Sequence, residues 1–163
     1  FYRRTLEDSA DLIVFAREME QTKRYFTFEV ARFGADRVEM EMRIDPRVED
    51  MLVPPFLLQP LVENAVRHAM PSEGKLTIEV TGEVTGNDVI VRVCDNGVGM
   101  TEEARCNILH PESSLGLGIA VKNVHDRICG YFGPGTHMEV ESELGKGTCV
   151  ILVLKEGALR EYQ

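Results

Sequence analysis

Four short segments of this 163-residue chain bring together residue types that do chemistry. In the first, Leu57 to His68, a strongly apolar helical stretch carries Glu63, Asn64, Arg67 and His68 near its end. Residues four apart are neighbours on a helix surface, so Glu63 shares a face with Arg67, and Asn64 with His68. The plain reading is an ion pair on a solvated face. The apolar composition argues instead for burial, and a buried carboxylate, amide, guanidinium and imidazole need partners. A metal bound to a polyphosphate would supply them. Magnesium takes oxygen ligands and keeps several waters, so one Asn carbonyl oxygen with a carboxylate behind it suffices.

The second segment, Asp95-Asn96-Gly97-Val98-Gly99, follows an apolar run. It reads either as a strand-to-helix turn or as a ligand contact. Glycines two apart let the backbone approach a flat ligand closely. An ionised Asp only accepts hydrogen bonds and so suits an exocyclic amine such as that of adenine. In the third segment, Gly116-Leu117-Gly118 opens a helix, where free N–H groups and the helix dipole favour phosphate. No Gly-x4-Gly-Lys-Ser/Thr run is present, and neither Gly-x-Gly pair has the third glycine of the dinucleotide fold. The fourth segment, Gly145-Lys146-Gly147-Thr148, reads on its own as a hairpin turn.

These segments need elements to hold them. A helix is expected from about Thr5 to Arg32, its apolar stripe running through Leu6, Leu12, Ile13, Ala16, Met19, Phe26, Val30 and Phe33, with Gly34 as its stop. The alternation Val38 to Ile44 predicts a half-buried strand. Pro54 and Pro55 precede a second helix ending near Ala69, with Leu57, Leu58, Leu61, Val62, Ala65 and Val66 inward. Strands follow at Leu76 to Val80 and Val89 to Cys94, with Gly82 to Asp88 as the turn between them. A short helix at Glu102 to Ile108 leads through a polar stretch to a third long helix, buried through Val121, Val124, Ile128 and Phe132. Met138 to Val140 and Cys149 to Leu154 close the chain as a hairpin. Strands alternating with helices, with antiparallel hairpins, predict an α/β (α+β) two-layer sandwich: a mixed, mostly antiparallel sheet with helices on one face.

Composition limits the partners. With 18 Lys and Arg against 27 Asp and Glu, the formal charge is −9, which argues against a general affinity for nucleic acid or anionic lipid. The apolar fraction of 44% is enough for a core, and the length suits one domain. Prolines 54, 55 and 60 interrupt the closest approach to a membrane-length apolar run. No signal peptide is visible, and the first residue, Phe1, leads us to expect an excised piece of a longer protein. Cys94, Cys106, Cys129 and Cys149 are scattered without a Cys-x-x-Cys pair, which argues against zinc and a disulfide framework and fits a reducing compartment.

In order and spacing, the four segments resemble the N box and the three glycine boxes of the ATP-binding domain shared by histidine kinases, gyrase, Hsp90-type chaperones and MutL-type proteins, the GHKL or Bergerat-fold superfamily. Pro54-Pro55-Phe56-Leu57-Leu58-Gln59-Pro60-Leu61-Val62-Glu63-Asn64-Ala65 looks very like the LytS/YehU-type sensor histidine kinases. So do Tyr25 through Arg32-Phe33-Gly34, and Asn123-Val124-His125-Asp126-Arg127-Ile128. The resemblance covers roughly residues 11–155. It implies ATP and Mg2+ as cofactors, with Asn64 on the magnesium and Glu63 polarising a group near the γ-phosphate. Arg67 and His68 would face the phosphates or sugar, and Asp95 the adenine amine, with Gly97 and Gly99 beside the base. Gly116, Leu117 and Gly118 would belong to a lid over the triphosphate, and Thr148 would line the adenine end.

The implied reaction is transfer of the γ-phosphoryl group to a histidine on a dimerisation region, of the same chain or of a dimer mate, in a two-component sensor that then serves a response regulator. Residues 1–34 would end the helical linker from that region, and residues 35–163 would form the catalytic domain. The domain would lie in the cytoplasm, outside the membrane, as part of a membrane-anchored bacterial sensor. Two departures stand out. Ala120 occupies a usual glycine of the second box, where it would stiffen the lid or crowd a phosphate. The Pro-His-Phe context of the acceptor is absent, since His68, His110, His125 and His137 all lie in other surroundings. Two alternatives stay open: a serine kinase of the anti-sigma-factor type on the same fold, and a nucleotide-binding docking module with weak or lost catalysis.

Overall fold

The computed structural model describes residues 12–108 and 117–155, without the side chains of Leu117 and Gly118. Five strands form one sheet in the order β2 (Val38–Ile44), β4 (Leu76–Thr85), β5 (Asp88–Asp95), β7 (Gly147–Leu154), β6 (His137–Glu143). Only β2 and β4 pair in parallel; the other three pairings are antiparallel. Against one face lie the long helices α1 (Phe15–Phe33), α3 (Gln59–His68) and α5 (Leu117–Phe132). Short helices α2 (Pro46–Glu49) and α4 (Glu102–Asn107), and a two-residue pairing of β1 (Ile13–Val14) with β3 (Leu52–Val53), complete the described part. The two-layer sandwich expected from the element pattern is the one observed.

Side-chain alternation makes the layers. Ile78 and Val80 of β4 register with Asp95 and Val93 of β5, and Val93 with Val150 of β7, so these residues, with Leu76 on the same face of β4, point at the helices. These apolar residues are buried with Leu61, Val62, Ala65 and Val66 of α3 and with Val121, Val124 and Ile128 of α5. Phe15, Met19 and Phe26 tie α1 into the same core. The opposite sheet face is charged, with Arg43 to Glu79 at 2.8 Å and Arg92 to Glu83 at 2.7 Å.

Three expectations need correction. Ile13 lies in β1 rather than in the first helix, because its partner Val53 offers backbone pairing that a helix end there would forgo. Gly82 belongs to a strand rather than a turn. It registers with Val91, and an added Cβ would meet Ile44 and Val48 at 3.2–3.3 Å, so the missing side chain makes room for the layer above. The scattered cysteines do not all stay apart. Cys94 and Cys149, 55 residues apart, face each other across β5 and β7 with Cα atoms 4.0 Å apart, and their sulfurs are joined. Sheet register, invisible in sequence spacing, brings them together; Cys106 and Cys129 are free.

Candidate functional site

Asp95 is the last residue of β5, one step past buried Val93 on the helix-facing side. The Gly97 N–H donates to its Oδ1 at 2.8 Å and the Thr148 N–H at 3.3 Å. Burial raises its pKa above the ordinary carboxylate value, and the two N–H bonds pull it back only in part. Thr148 stands directly opposite on β7. Its Oγ1 lies 2.7 Å from Ser142 Oγ, which also donates to the Gly147 carbonyl and accepts the Met100 N–H. Ser142 is a residue that sequence reasoning did not select. The available signal was its β6 position opposite Thr148.

The glycines of the Asp95 segment serve protein packing. A Cβ on Gly97 would lie 2.1 Å from the Ala69 carbonyl oxygen at the end of α3, the same oxygen that accepts the Val98 N–H at 3.0 Å. Gly99 has φ +71°, and its added Cβ would meet the Glu143 carbonyl oxygen at 2.1 Å. Those two contacts each require a residue without a side chain. Neighbouring Asn96 is structural as well, with its side chain bridging the Thr77 N–H and the Lys75 carbonyl.

Above Asp95 the α3 helix presents Asn64 and His68. A cavity of about 240 Å³ is lined by Leu61, Asn64, Ala65, His68, Val93, Asp95, Gly99 and Thr148, among others. Asn64 Oδ1 is buried there without a hydrogen-bond partner. An unpaired buried acceptor costs on the order of 1–3 kcal/mol, so this oxygen is poised for a ligand. As a hard neutral oxygen beside room for water and phosphate, it fits magnesium, and Asn64 would be the residue that holds it. No cluster of three His, Cys, Asp or Glu side chains suited to a metal exists among the described residues. His68 is pushed below its ordinary pKa by burial and then by Arg67, so it is neutral at pH 7 and offers hydrogen bonding rather than charge.

Glu63 and Arg67, on the other face of α3, open on a different groove. With Tyr25, Glu29, Arg32 and Phe33 of α1 they line a space of about 410 Å³. Glu63 Oε1 accepts from Gln59 at 3.0 Å. The Tyr25 phenol is pushed up to about 12 by burial and then by Glu29 and Glu63, and so stays protonated. The structure thus brings Asn64, His68, Asp95, Gly99 and Thr148 to one pocket, sets Gly97 just behind it, and gives Glu63 and Arg67 to the groove beside α1. Leu117 and Gly118 begin α5, with Ala120 half-buried in its first turn; Gly116 lies outside the described residues, as does His110.

The nucleotide-free catalytic domain of histidine kinase ThkA superposes with a TM-score of 0.67 at 19% identity, covering 89% of this chain and 94% of that one. The histidine kinase domain of the blue-light activated kinase EL346 from Erythrobacter litoralis gives 0.63 at 18% identity, covering 91% and 63%. At these identities the likeness is one of fold. The chain belongs to the histidine kinase-, DNA gyrase B- and HSP90-like ATPase family, whose profile matches residues 56–158. Among similar curated proteins, sensor protein LytS of Bacillus cereus is 34% identical over 168 aligned residues, covering 100% of this chain and 28% of that protein. LytS of Bacillus subtilis is 34% identical over 153, covering 91% and 26%. The chain therefore spans little more than a quarter of the length of these relatives.

Proposed function

We propose that this chain is the Mg-ATP-binding catalytic part of a two-component sensor kinase of the LytS type, and that it donates the γ-phosphoryl group to a histidine carried on helices upstream of the sequence in hand. One observation carries the reading: the unpartnered, buried Oδ1 of Asn64 lines the same pocket as the half-buried carboxylate of Asp95. A neutral oxygen for a cation on α3 and an acceptor for an amine at the end of β5 suit the two ends of a purine nucleotide bound with magnesium.

In this proposal Asp95 accepts from the adenine amino group, with Gly97, Gly99 and Thr148 shaping that end. Asn64 and His68 face the metal and phosphate end, and Gly116, Leu117 and Gly118 belong to the lid. Magnesium, when bound, neutralises charge on the phosphates, and the chain's own contribution is positioning and a low-dielectric pocket. Glu63 and Arg67 serve the γ-phosphate from the groove beside α1, the side from which an acceptor helix would arrive if residues 1–34 end the linker. A response regulator would receive the phosphoryl group next. The domain would sit in the cytoplasm below a membrane anchor. No helix among the described residues is long and apolar enough to cross a membrane.

The test uses ATP labelled at the γ-phosphate. The chain extended upstream through its acceptor helices should become labelled on a histidine there, as an acid-labile, alkali-stable phosphate. The 163-residue chain alone should acquire no stable label. Stable label on any of its own four histidines would contradict the proposal.

A further inference from the structure

Between β3 and α3 the backbone takes an uncommon path. Phe56 has φ +61°, the only left-handed non-glycine residue among those described, and its side chain is 57% exposed. Such a conformation costs on the order of 1–3 kcal/mol and persists only where its surroundings over-determine it. Two residues from different helices do so here. Glu18 of α1 is 1% exposed. Its Oε2 accepts the Phe56 N–H at 3.2 Å, and its Oε1 accepts those of Leu57 at 2.6 Å and Leu58 at 3.0 Å. From the other side, Arg127 Nη1 of α5 donates to the carbonyls of Pro55 at 3.0 Å and Phe56 at 2.9 Å. Both polar groups of the Phe56 backbone are thereby held, one by each helix.

The clamp sits at the start of α3, which has no side-chain cap of its own. Helix N-termini leave N–H groups unsatisfied and favour negative charge, so Glu18 supplies from α1 what the local sequence lacks. At the other end of α3 the tether is different. The Ala69 carbonyl accepts the Val98 N–H, in the loop that follows Asp95. Asn64 thus rides on a helix whose front end is fixed by α1 and α5 and whose rear end is fixed by the Asp95 loop.

We propose that Glu18 and Arg127 are positioning residues for the nucleotide site. They set the placement of α3, and hence of Asn64, and make it follow α1 and α5. A displacement of α1 then reaches the metal end of the pocket through one buried carboxylate, while Asp95 and Thr148, held by the sheet, stay in place. This inference rests on the Mg-ATP reading above.

Glu18→Gln keeps one acceptor oxygen but turns an amide toward the Phe56 N–H, and Arg127→Met removes the donor from an exposed position. Each variant is titrated with Mg-ATP and, separately, with adenosine. Mg-ATP affinity should fall about five- to tenfold, the scale of one or two lost hydrogen bonds, while adenosine affinity moves less than twofold. Arg127→Lys should recover most of the Mg-ATP affinity. Unchanged Mg-ATP binding in Arg127→Met, or equal weakening of both ligands, would overturn the inference. Should Glu18→Gln fail to fold, Arg127→Met and Arg127→Lys decide alone. Failure of the wild-type chain itself to bind Mg-ATP would instead remove the reading beneath it.

Discussion

Asp95 and Thr148 face each other across β5 and β7, and the Thr148 N–H donates to Asp95 Oδ1 at 3.3 Å. A carboxylate with a raised pKa is thus fixed at the floor of a pocket by the backbone opposite it. For an acid with a raised folded pKa, the favourable contribution to stability is present below the unfolded pKa, about 3.9, and is lost as pH rises through the folded value. Ionised Asp95 therefore costs stability at neutral pH. Asp95→Asn should unfold at a higher temperature than the wild type at pH 7, with the gain shrinking as pH falls through the folded pKa of Asp95. The same variant should lose adenosine binding about 10- to 100-fold, since a hydrogen bond to a charged group is worth about 1.5–3 kcal/mol. Thermal melts at several pH values, with adenosine titrations, check both effects.

Gly97→Ala tests the contact between the Asp95 loop and the end of α3. The added methyl would lie 2.1 Å from the Ala69 carbonyl oxygen and 2.5 Å from the Ala69 Cβ, so the loop or the helix must move. Overpacking of this kind costs about 1–3 kcal/mol. Denaturant unfolding should show that loss, and adenosine and Mg-ATP should weaken together, because the loop touches both walls of the pocket. Unaltered stability would mean that the loop yields freely.

Ser142→Ala removes a hydroxyl that joins Met100, Gly147 and Thr148. Stability should fall by about 1–3 kcal/mol, the range for leaving half-buried partners unpaired. Adenosine should bind more weakly, with little change in the dependence on magnesium, since Ser142 lies at the Thr148 end. Urea melts and paired titrations with and without magnesium measure this.

Much of this architecture was readable in the sequence. The alternation in β2 and β4, the apolar run of β5 and the apolar faces of α3 and α5 follow from hydrophobic pattern alone, because buried faces leave that trace. The split of α3 into a Glu63–Arg67 face and an Asn64–His68 face was also readable, from helical spacing. Which cavity each face opens on was not, since that depends on where α1 and the sheet lie. The Cys94–Cys149 pairing and the capping of α3 by Glu18 were hidden for one reason. Each joins residues far apart in the chain through a register or a helix contact that local pattern does not encode. The close approach of Ala69 to Gly97 and of Glu143 to Gly99 was not readable either, because it depends on how the end of α3 and the last hairpin pack on the loop.

The most direct test of a magnesium-dependent nucleotide site is calorimetric titration of the wild-type chain and of Asn64→Ala with ATP, in the presence of magnesium and of chelator. The wild type should bind ATP more tightly with magnesium, and Asn64→Ala should lose that increment while keeping the magnesium-independent part supplied by Asp95. Identical isotherms for the two proteins in magnesium, or no heat from the wild type under either condition, would contradict the account.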